Sequence, residues 1–381
     1  MQAAIVNSIN EVPAEQWDRL HGAAQPFLKH AFLKALEDSG SVGDGTGWNP
    51  AYLAVYGSDG ILAGAMPLYI KTDSFGEFVF DSAWADAHHR AGLRYFPKLV
   101  AAVPFTPVTG RRLLLHPSVD PKTISAELID GMATLADEIG ASSVHVLFEE
   151  QDDHEALVDA GYSPRKDCQF HWHNEGFGDF DEFLSVLTSA KRKNIRRERR
   201  RVRENGISVR LHEGDTLEDI SWDEIYGLYA NTFYRYGHRP YLSPPFFPMV
   251  ATALAEQVVV ATAHKDDHLI AMALSLRDDR RLYGRYWGCE SFEHSLHFEL
   301  CYYQGIEYCI RHSLQIFEPG TQGEHKIARG FSPVETSSVH RIRHPRFATV
   351  IDDYLERERG LVDAYIDAAR SHLPFRAEHR C

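Results

Sequence analysis

Cysteine is scarce in this sequence, and its spacing gives no sign of pairing. The five cysteines among 381 residues form no C-x-x-C motif, and their odd number does not suit a disulfide framework. No apolar run approaches the ~20 residues of a membrane-spanning helix, and the first residues lack a basic segment followed by an apolar one. From these absences we expect a cytoplasmic protein with no membrane span.

The familiar motifs of metal and nucleotide sites are missing as well. The sequence has no G-x-S-x-G, H-E-x-x-H, P-loop or EF-hand pattern. His171 and His173 would share one face of a strand, and His88 and His89 are neighbours. Because neither pair has a cysteine or a carboxylate at ligand spacing, we predict no metal site.

The balance of charge is negative outside one segment. The net charge of −14 argues against a general nucleic-acid binder. Nine of the thirteen residues at 191–203 are nevertheless basic and one is acidic, and we call this segment the basic helix. One side of it would carry Arg192, Arg196, Arg199 or Arg200, and Arg203. This side is either a binding surface for an RNA backbone or a solvated surface that pairs with acidic side chains elsewhere.

What is present is the pattern of a globular protein built from strands and helices. A hydrophobic content of 44% suits a buried core, and 381 residues allow two or three domains. The runs Tyr52–Tyr56 and Ile61–Ile70 flank a turn at Gly57–Gly60, which is typical of a β-hairpin. A third run, Glu77–Trp84, would extend this hairpin to a meander.

The same pattern returns in the second half of the chain. Tyr52–Tyr69 can be laid over Val259–Leu276 without a gap, and Leu282–Trp287 again supplies a third run. The sequence predicts a helix after each meander, first at Ala87–Ala102 and then at Glu293–Arg311, and a strand after each helix. We therefore expect an α/β domain twice, either by duplication or through chance alternation in two similar meanders.

The polar loop Glu318–Phe331 is the stretch that most resembles a site, because it follows directly after a predicted strand. Strand ends are where α/β proteins place their chemistry. Glu318 is our first candidate for positioning an acceptor amine, and Glu324 or His325 could accept a proton. The alternative is a solvated connection with turn glycines.

Further candidates lie in the preceding helix and in an aromatic segment at 233–241. Glu299 can share a helix face with Tyr302 or Tyr303, whereas His297 points away from it. Expected substrate contacts are Arg329, Gln322, His297, Tyr302, Tyr234, His238, Arg239, Arg192 and Arg196. Arg329 would clamp a phosphate or carboxylate. The plainer alternatives are an exposed carboxylate for Glu299, a packing role for His297 and a plug between domains for the aromatic segment.

A meander, a helix, a strand and a loop containing Gly-Phe are the parts of the GNAT (acyl-CoA N-acyltransferase) fold, and a tandem pair resembles the FemAB-like proteins. Residues 189–206 are similar to the basic helix that opens the second GNAT-like domain in that family, and His325–Phe331 is similar to its late segment with a lysine and Gly-Phe. The group of FemAB-like proteins labelled for peptidoglycan biosynthesis or recognition carries Pro104–Pro107, Leu296–Glu299 and Gly323–Lys326 in this order. The resemblance covers nearly the whole chain.

This resemblance implies an α/β (α+β) protein with two tandem GNAT-like domains. Each domain would be a mixed sheet with a β-meander flanked by helices, the first at residues 1–175 and the second, which carries the site, at 176–345. Residues 346–381 would form a C-terminal helix that packs back on the body. Lys326 matches the family's lysine and would stabilise an oxyanion or a phosphate as a point charge.

One departure from the fold bears on the acyl donor. Enzymes that use acetyl-CoA begin the helix after the meander with a basic, Gly-rich loop that holds the pyrophosphate, whereas here Gly288–Ser295 is acidic. This favours an aminoacyl-tRNA donor over acyl-CoA. We expect an N-acyltransferase that acts on the amine of a small molecule or peptide, such as a peptidoglycan precursor. The alternatives are a catalytically silent binding module for a peptide or cell-wall precursor and an acetyl-CoA-dependent N-acetyltransferase.

Overall fold

The computed structural model describes residues 3–321, 323–376 and 379, and it divides the chain into two units. The first unit contains the residues up to Asp167 together with Glu335–Asp363. The second contains Cys168–Val334 and the residues from Ala364 onward. The chain therefore passes between the units within two long strands and the last helix. The predicted domain limits at 175/176 and 345/346 stay a prediction.

The first unit contains eight complete strands and five helices among its described residues. The strands are β1 (Ala3–Val6), β2 (Trp48–Pro50), β3 (Tyr52–Tyr56), β4 (Leu62–Met66), β5 (Leu68–Lys71), β6 (Lys98–Ala101), β7 (Leu114–Leu115) and β8 (Ser143–Leu147). The helices are α1 (Ala14–Trp17), α2 (His30–Asp38), α3 (Ser82–Arg90), α4 (Pro121–Glu138) and α5 (Gln151–Asp159).

The second unit follows, and three elements belong to both units. Its strands are β10 (Ile207–Glu213), β11 (Val258–Lys265), β12 (His268–Arg277), β13 (Arg281–Cys289) and β14 (Ile316–Glu318). Its helices are α6 (Phe180–Val186), α7 (Ser189–Glu204), α8 (Trp222–Tyr234), α9 (Phe246–Ala253), α10 (Leu296–Phe298) and α11 (Gln304–Arg311). The shared elements are β9 (Ser163–His173), β15 (Ser332–Ile342) and α12 (Pro345–Ser371).

In the first unit, the predicted hairpin forms between β3 and β4, with Leu53 opposite Met66. The rest of the predicted meander is wrong, because Glu77–Trp84 is a loop that runs into α3. The predicted helix Ala87–Ala102 is also wrong over most of its length, because α3 ends at Arg90 and β6 begins at Lys98. Pro97 disfavours a helix there, since it has no N–H to donate and would crowd the preceding turn.

In the second unit, β10, β11, β12 and β13 form the antiparallel meander that the sequence predicts. The chain then runs through α10, a π-helical turn at Glu299–Tyr303 and α11 before it returns as β14, which pairs with β13 in parallel. This β-helix-β crossover is the usual way to connect parallel strands. On its other edge, β14 pairs with β9 in antiparallel.

The pairing of β13 with β14 is short, and this positions the candidate site. The last paired residues are Tyr283 and Glu318, after which Pro319 ends β14. Beyond this point β13 continues to Cys289 with β12 as its partner. The polar loop therefore begins where two parallel strands separate, a place where α/β sheets bind ligands.

The basic helix lies within α7, as predicted. Ile195 and Val202 are buried at helical spacing. The helix ends before Asn205 and Gly206, and Gly206 takes a φ of 73°, which favours glycine. The apolar stripe is narrow, so most of the basic side chains remain on the outer side of the helix.

Candidate active site

Three neighbouring strands present polar side chains on one face of the second unit's sheet. Arg281 and Glu318 lie on the same face, because Glu318 is opposite Tyr283 and Arg281 is two residues before it on β13. Arg285 lies at a register shift further along β13, and its charge acts on both Glu318 and Lys326. His171 projects from β9 toward Glu318, with 4.0 Å between its Nε2 and Glu318 Oε2. These groups meet beside the point where β13 and β14 separate.

Glu318 is buried and only partly hydrogen-bonded. Its Oε1 accepts a hydrogen bond of 2.8 Å from Arg281 Nη1, and its side chain is 1% exposed. Within the described part of the chain, no donor reaches Oε2. Burial raises the pKa of the Glu318 carboxyl, while Arg281 opposes the rise. A buried carboxylate oxygen without a donor is costly, so a ligand that supplies an N–H group would stabilise it.

Lys326 lies on the short 3₁₀ turn Glu324–Arg329 within the polar loop and is 1% exposed. Its Nζ donates to the carbonyl of Gly320. Burial and the nearby Arg285 guanidinium lower the pKa of Lys326 to about 7. The turn is bracketed by Gly323 and Gly330, whose φ values of 110° and 88° lie in the region that other residues avoid. The site therefore holds a lysine whose charge is poorly stabilised at neutral pH.

Rings from α10, the π-helical turn and the polar loop pack together beside this lysine. The Tyr302 hydroxyl lies 2.7 Å from Nε2 of His325, and the His297 ring packs edge-on against Tyr302 with 5.3 Å between ring centres. Burial lowers the pKa of His297 to about 4 and, together with Arg329 and Lys326, also lowers the pKa of His325. Both imidazoles are therefore neutral at physiological pH, and a neutral imidazole can accept a proton.

Arg329 is placed near the site, but its charge is paired within the chain. Its Nη2 donates to both carboxylate oxygens of Glu198 at 2.9 and 3.0 Å, and its Nε donates to the Tyr303 hydroxyl at 2.9 Å. The guanidinium also stacks 3.5 Å from the centre of the Phe298 ring. These contacts hold the turn that carries Lys326 against α7 and the π-helical turn.

Glu299 is also committed to a partner within the chain. Its carboxylate accepts hydrogen bonds of 3.0 to 3.2 Å from Arg199 and one of 2.8 Å from Gln304. It is 4% exposed, so it is not the exposed carboxylate considered from the sequence. Arg199 was predicted from the sequence to lie on the RNA-binding side of the basic helix. In the structure it faces inward to make this pair.

The remaining candidates lie on the surface or outside the described residues. Glu324 is exposed and accepts a 3.1 Å hydrogen bond from Tyr365. Gln322 lies outside the described residues. The candidates Tyr234, His238 and Arg239 of the aromatic segment are all exposed.

The outer side of α7 keeps several basic groups in solvent. A shallow depression of about 700 Å³ runs along it and is lined by Lys191, Lys193, Asn194, Arg196, Arg197 and Arg200. Arg196 also pairs with Asp181 at 2.8 Å, and Arg192 donates to two backbone carbonyls at 3.4 Å. The surface is cationic, and its charge is only partly paired.

Three residues of the site were not singled out from the sequence as functional, namely Arg281, Arg285 and His171. The arginines sit at even spacing around Tyr283 on a strand whose intervening residue Leu282 is buried. That alternation was visible, but only the parallel pairing with β14 brings the arginines to Glu318. His171 was noticed as one of two histidines on a strand face, but its carboxylate neighbour is more than a hundred residues away in the chain.

The described residues contain no cluster of three or more metal-ligating side chains. None of the helices in the described part of the chain is long and apolar enough to cross a bilayer.

Comparison with known proteins decides the family. The model of the FemAB-like family, whose description is peptidoglycan biosynthesis/recognition, matches residues 8–377. The chain belongs to this family. No match was found among curated proteins.

Solved structures give the same fold for this FemAB-like protein. FemX has a TM-score of 0.52 at 13% identity, and the match covers 92% of this chain and 100% of FemX. The C-terminal domain of a putative lysylphosphatidylglycerol synthetase from Agrobacterium fabrum has a TM-score of 0.53 at 11% identity, with 90% and 96% covered. L-PGS from Bacillus licheniformis has a TM-score of 0.50 at 10% identity, with 85% and 96% covered. The predicted mixed α/β fold with a terminal helix is confirmed.

Proposed function

We propose that this FemAB-like protein transfers an acyl or aminoacyl group onto an amine at Glu318 and Lys326. The observation that carries the proposal is the pair of buried, incompletely stabilised groups where β13 and β14 separate. Glu318 Oε2 has no donor among the described residues, and burial lowers the pKa of Lys326. Perturbed groups of this kind concentrate at functional sites.

The two groups suit the two halves of amide formation. Glu318 Oε2 would accept an N–H bond of the acceptor amine and so orient its lone pair. Lys326 Nζ would donate to the acyl carbonyl oxygen as that oxygen gains negative charge. The amine nitrogen forms a bond to the acyl carbon, and the ester or thioester bond of the donor breaks. A neutral imidazole such as His325 accepts the amine proton for return to the leaving group.

The charges around the site favour aminoacyl-tRNA over acyl-CoA as donor. The segment after β13, where a CoA pyrophosphate would need donors, contains Glu290 and Glu293, and Glu293 is paired with Lys265 at 3.0 Å. The outer side of α7 offers unburied cationic groups along a shallow depression, and such groups favour a nucleic-acid backbone. The aromatic segment with Tyr234, His238 and Arg239 is a further surface for the substrate.

The family's description supports a peptidoglycan precursor or a related peptide as the source of the amine. The same description includes recognition, so a binding module without turnover is the second candidate. A cytoplasmic location, where aminoacyl-tRNA and precursors are both available, is part of the proposal.

The experiment is an incubation of the protein with a donor and an amine acceptor, followed by mass spectrometry of the acceptor. The donors are a mixture of aminoacyl-tRNAs and, separately, acetyl-CoA, and the acceptors are lysine-containing peptides and a peptidoglycan precursor. We expect a new amide product with aminoacyl-tRNA. Tight acceptor binding without product in any mixture would support the binding module instead.

A further inference from the structure

The first unit contains a buried ionic cluster that the proposed transfer reaction does not use. Lys98 Nζ lies between two carboxylates, 2.8 Å from Glu77 Oε2 and in direct contact with Asp81 Oδ2. It also donates to Ser74 at 3.1 Å. Lys98 is fully buried, and Glu77 and Asp81 are 4% and 3% exposed.

The cluster has one more negative charge than its lysines can balance. Lys71, the nearby second lysine, is already committed, because its Nζ bonds Asp73 at 3.1 Å and the carbonyl of Phe75 at 3.2 Å. It also lies 4.0 Å from the centre of the Trp48 ring. A single ammonium, that of Lys98, therefore contacts both Glu77 and Asp81, while Lys71 acts on Glu77 only through its charge.

Each of these two carboxylates also has an oxygen without a donor. Asp81 Oδ2 receives a 2.5 Å hydrogen bond from the Tyr95 hydroxyl in addition to Lys98. Glu77 Oε1 and Asp81 Oδ1, by contrast, are buried and reached by no donor from the residues that the structure describes. Both carboxylates contact the same Nζ through their other oxygens, so the two unpartnered oxygens belong to one buried cluster.

Burial raises the pKa of Glu77 to about 7, although Lys98 opposes the rise. Its negative charge is therefore incompletely compensated within the chain. A buried carboxylate in this condition gains from a positive charge or from hydrogen-bond donors, and an ammonium group supplies both.

We propose that Glu77 and Asp81 form a binding site for an N–H-donating monocation, either a free ammonium ion or the primary ammonium group of an amine. Such a cation supplies N–H donors for these unpartnered oxygens and neutralises the excess negative charge. A metal ion fits less well, because hard cations take six or more oxygen ligands. Two exposed rings on the same loop, Phe75 and Phe80, would suit an amine with an apolar tail.

The test measures thermal and urea unfolding at pH 8, where Glu77 is ionised, in ammonium chloride and in sodium chloride at equal ionic strength. Ligand binding to the folded state multiplies the folding constant, by about tenfold when the ligand reaches ten times its Kd. We expect saturable stabilisation by ammonium that sodium and tetramethylammonium do not produce. Methylamine and n-butylamine distinguish the sources, since a stronger effect of the longer amine identifies an amine ligand.

The stabilisation should disappear in Glu77→Gln and in Asp81→Asn. Asp153→Asn is the matched control, because Asp153 is equally buried in the same unit but both of its oxygens have donors. It should lower stability yet keep the full ammonium effect. Calorimetric titration of the wild-type protein with ammonium chloride covers the case in which a variant does not fold.

Two results would overturn the proposal. One is the absence of ammonium-specific stabilisation and of calorimetric binding in the wild-type protein. The other is an ammonium effect that survives in both carboxylate variants. In either case the two carboxyl groups share a proton instead of binding a cation. Stability should then depend on pH and not on the ammonium concentration. Neither result bears on the transfer reaction, which uses residues of the second unit.

Discussion

Lys326 holds a charge in surroundings that stabilise it poorly, and this is the clearest sign of function at the scale of single residues. A buried lysine with a backbone carbonyl as its partner costs stability, because one unit of pKa shift corresponds to about 1.4 kcal/mol. Proteins keep such groups where activity requires them, so stability and function should oppose each other at this position.

We predict that Lys326→Met raises the free energy of unfolding at pH 7 by about 1 kcal/mol while it abolishes transfer. The pH dependence of the free energy of unfolding tests the same claim independently. The folded-state pKa of Lys326, about 7, lies below its usual 10.5, so between these values the unfolded state holds a proton that the folded state has released. The free energy of unfolding of the wild type should therefore rise with pH across this window, and the rise should be smaller in Lys326→Met.

Urea denaturation at several pH values between 7 and 10 measures both effects. Lys265→Met is the control, because Lys265 is partly exposed and pairs with Glu293. That substitution should change stability little and leave the pH slope unaltered. A loss of stability in Lys326→Met with an unchanged pH slope would contradict this account of the lysine.

At the scale of secondary-structure elements, one buried ion pair holds the site together. Glu198 on α7 binds Arg329 on the turn of the polar loop, and both contact the Tyr303 hydroxyl on the π-helical turn. π-helical turns within α-helices are often found at functional sites. Here the turn brings Tyr302 toward His325 and Tyr303 toward Glu198 at successive positions.

Glu198→Ala should destabilise the protein by about 3–5 kcal/mol, because it leaves the Arg329 guanidinium buried without a carboxylate. Urea denaturation measures the change. Glu204→Ala on the same helix is the control, since Glu204 forms an exposed pair with Arg200 and should cost less than about 1 kcal/mol. Equal effects of the two substitutions would show that the buried pair does not anchor the turn.

A second pair of elements, β8 and β15 in the first unit, is joined by two buried histidines. His145 and His340 are direct partners across the strands, with 2.7 Å between their Nδ1 atoms, and each Nε2 bonds a serine hydroxyl, Ser143 and Ser338. Only one proton fits between the two Nδ1 atoms, so the rings must be opposite tautomers. Burial holds the pKa of both histidines well below the usual value.

These histidines predict a loss of stability as the pH falls below about 6.5, the usual histidine pKa. In that range the unfolded state binds protons that the folded state excludes, so the free energy of unfolding decreases by up to about 1.4 kcal/mol per pH unit for each histidine. His340→Gln should reduce this slope between pH 6.5 and 5. The exposed His372→Gln should leave it unchanged, and an unaltered slope in His340→Gln would mean that another group is responsible.

At the scale of the whole molecule, the sequence predicted more of the fold than of the site. The second meander, the basic helix and the terminal helix were predictable because alternation and helical spacing extend over many residues there. The prediction of the first meander was wrong beyond β4. There Glu77 and Asp81 turn inward to Lys98 in a loop, and local periodicity cannot predict such long-range contacts. Arg281 and Arg285 became site candidates only through the parallel pairing of β13 with β14.

The family match over residues 8–377 establishes what this molecule is related to. Its activity has to be inferred from the residues of the site, because a fold alone does not determine activity. The measurement that tests the central claim most directly is amide formation from aminoacyl-tRNA by the wild type, Lys326→Met and Glu318→Gln, with Lys265→Met as control. We predict product from the wild type and the control, and a loss of at least about 10²-fold in both site variants while they remain folded. Undiminished product from folded Lys326→Met and Glu318→Gln, or none from the wild type with any donor, would contradict the account.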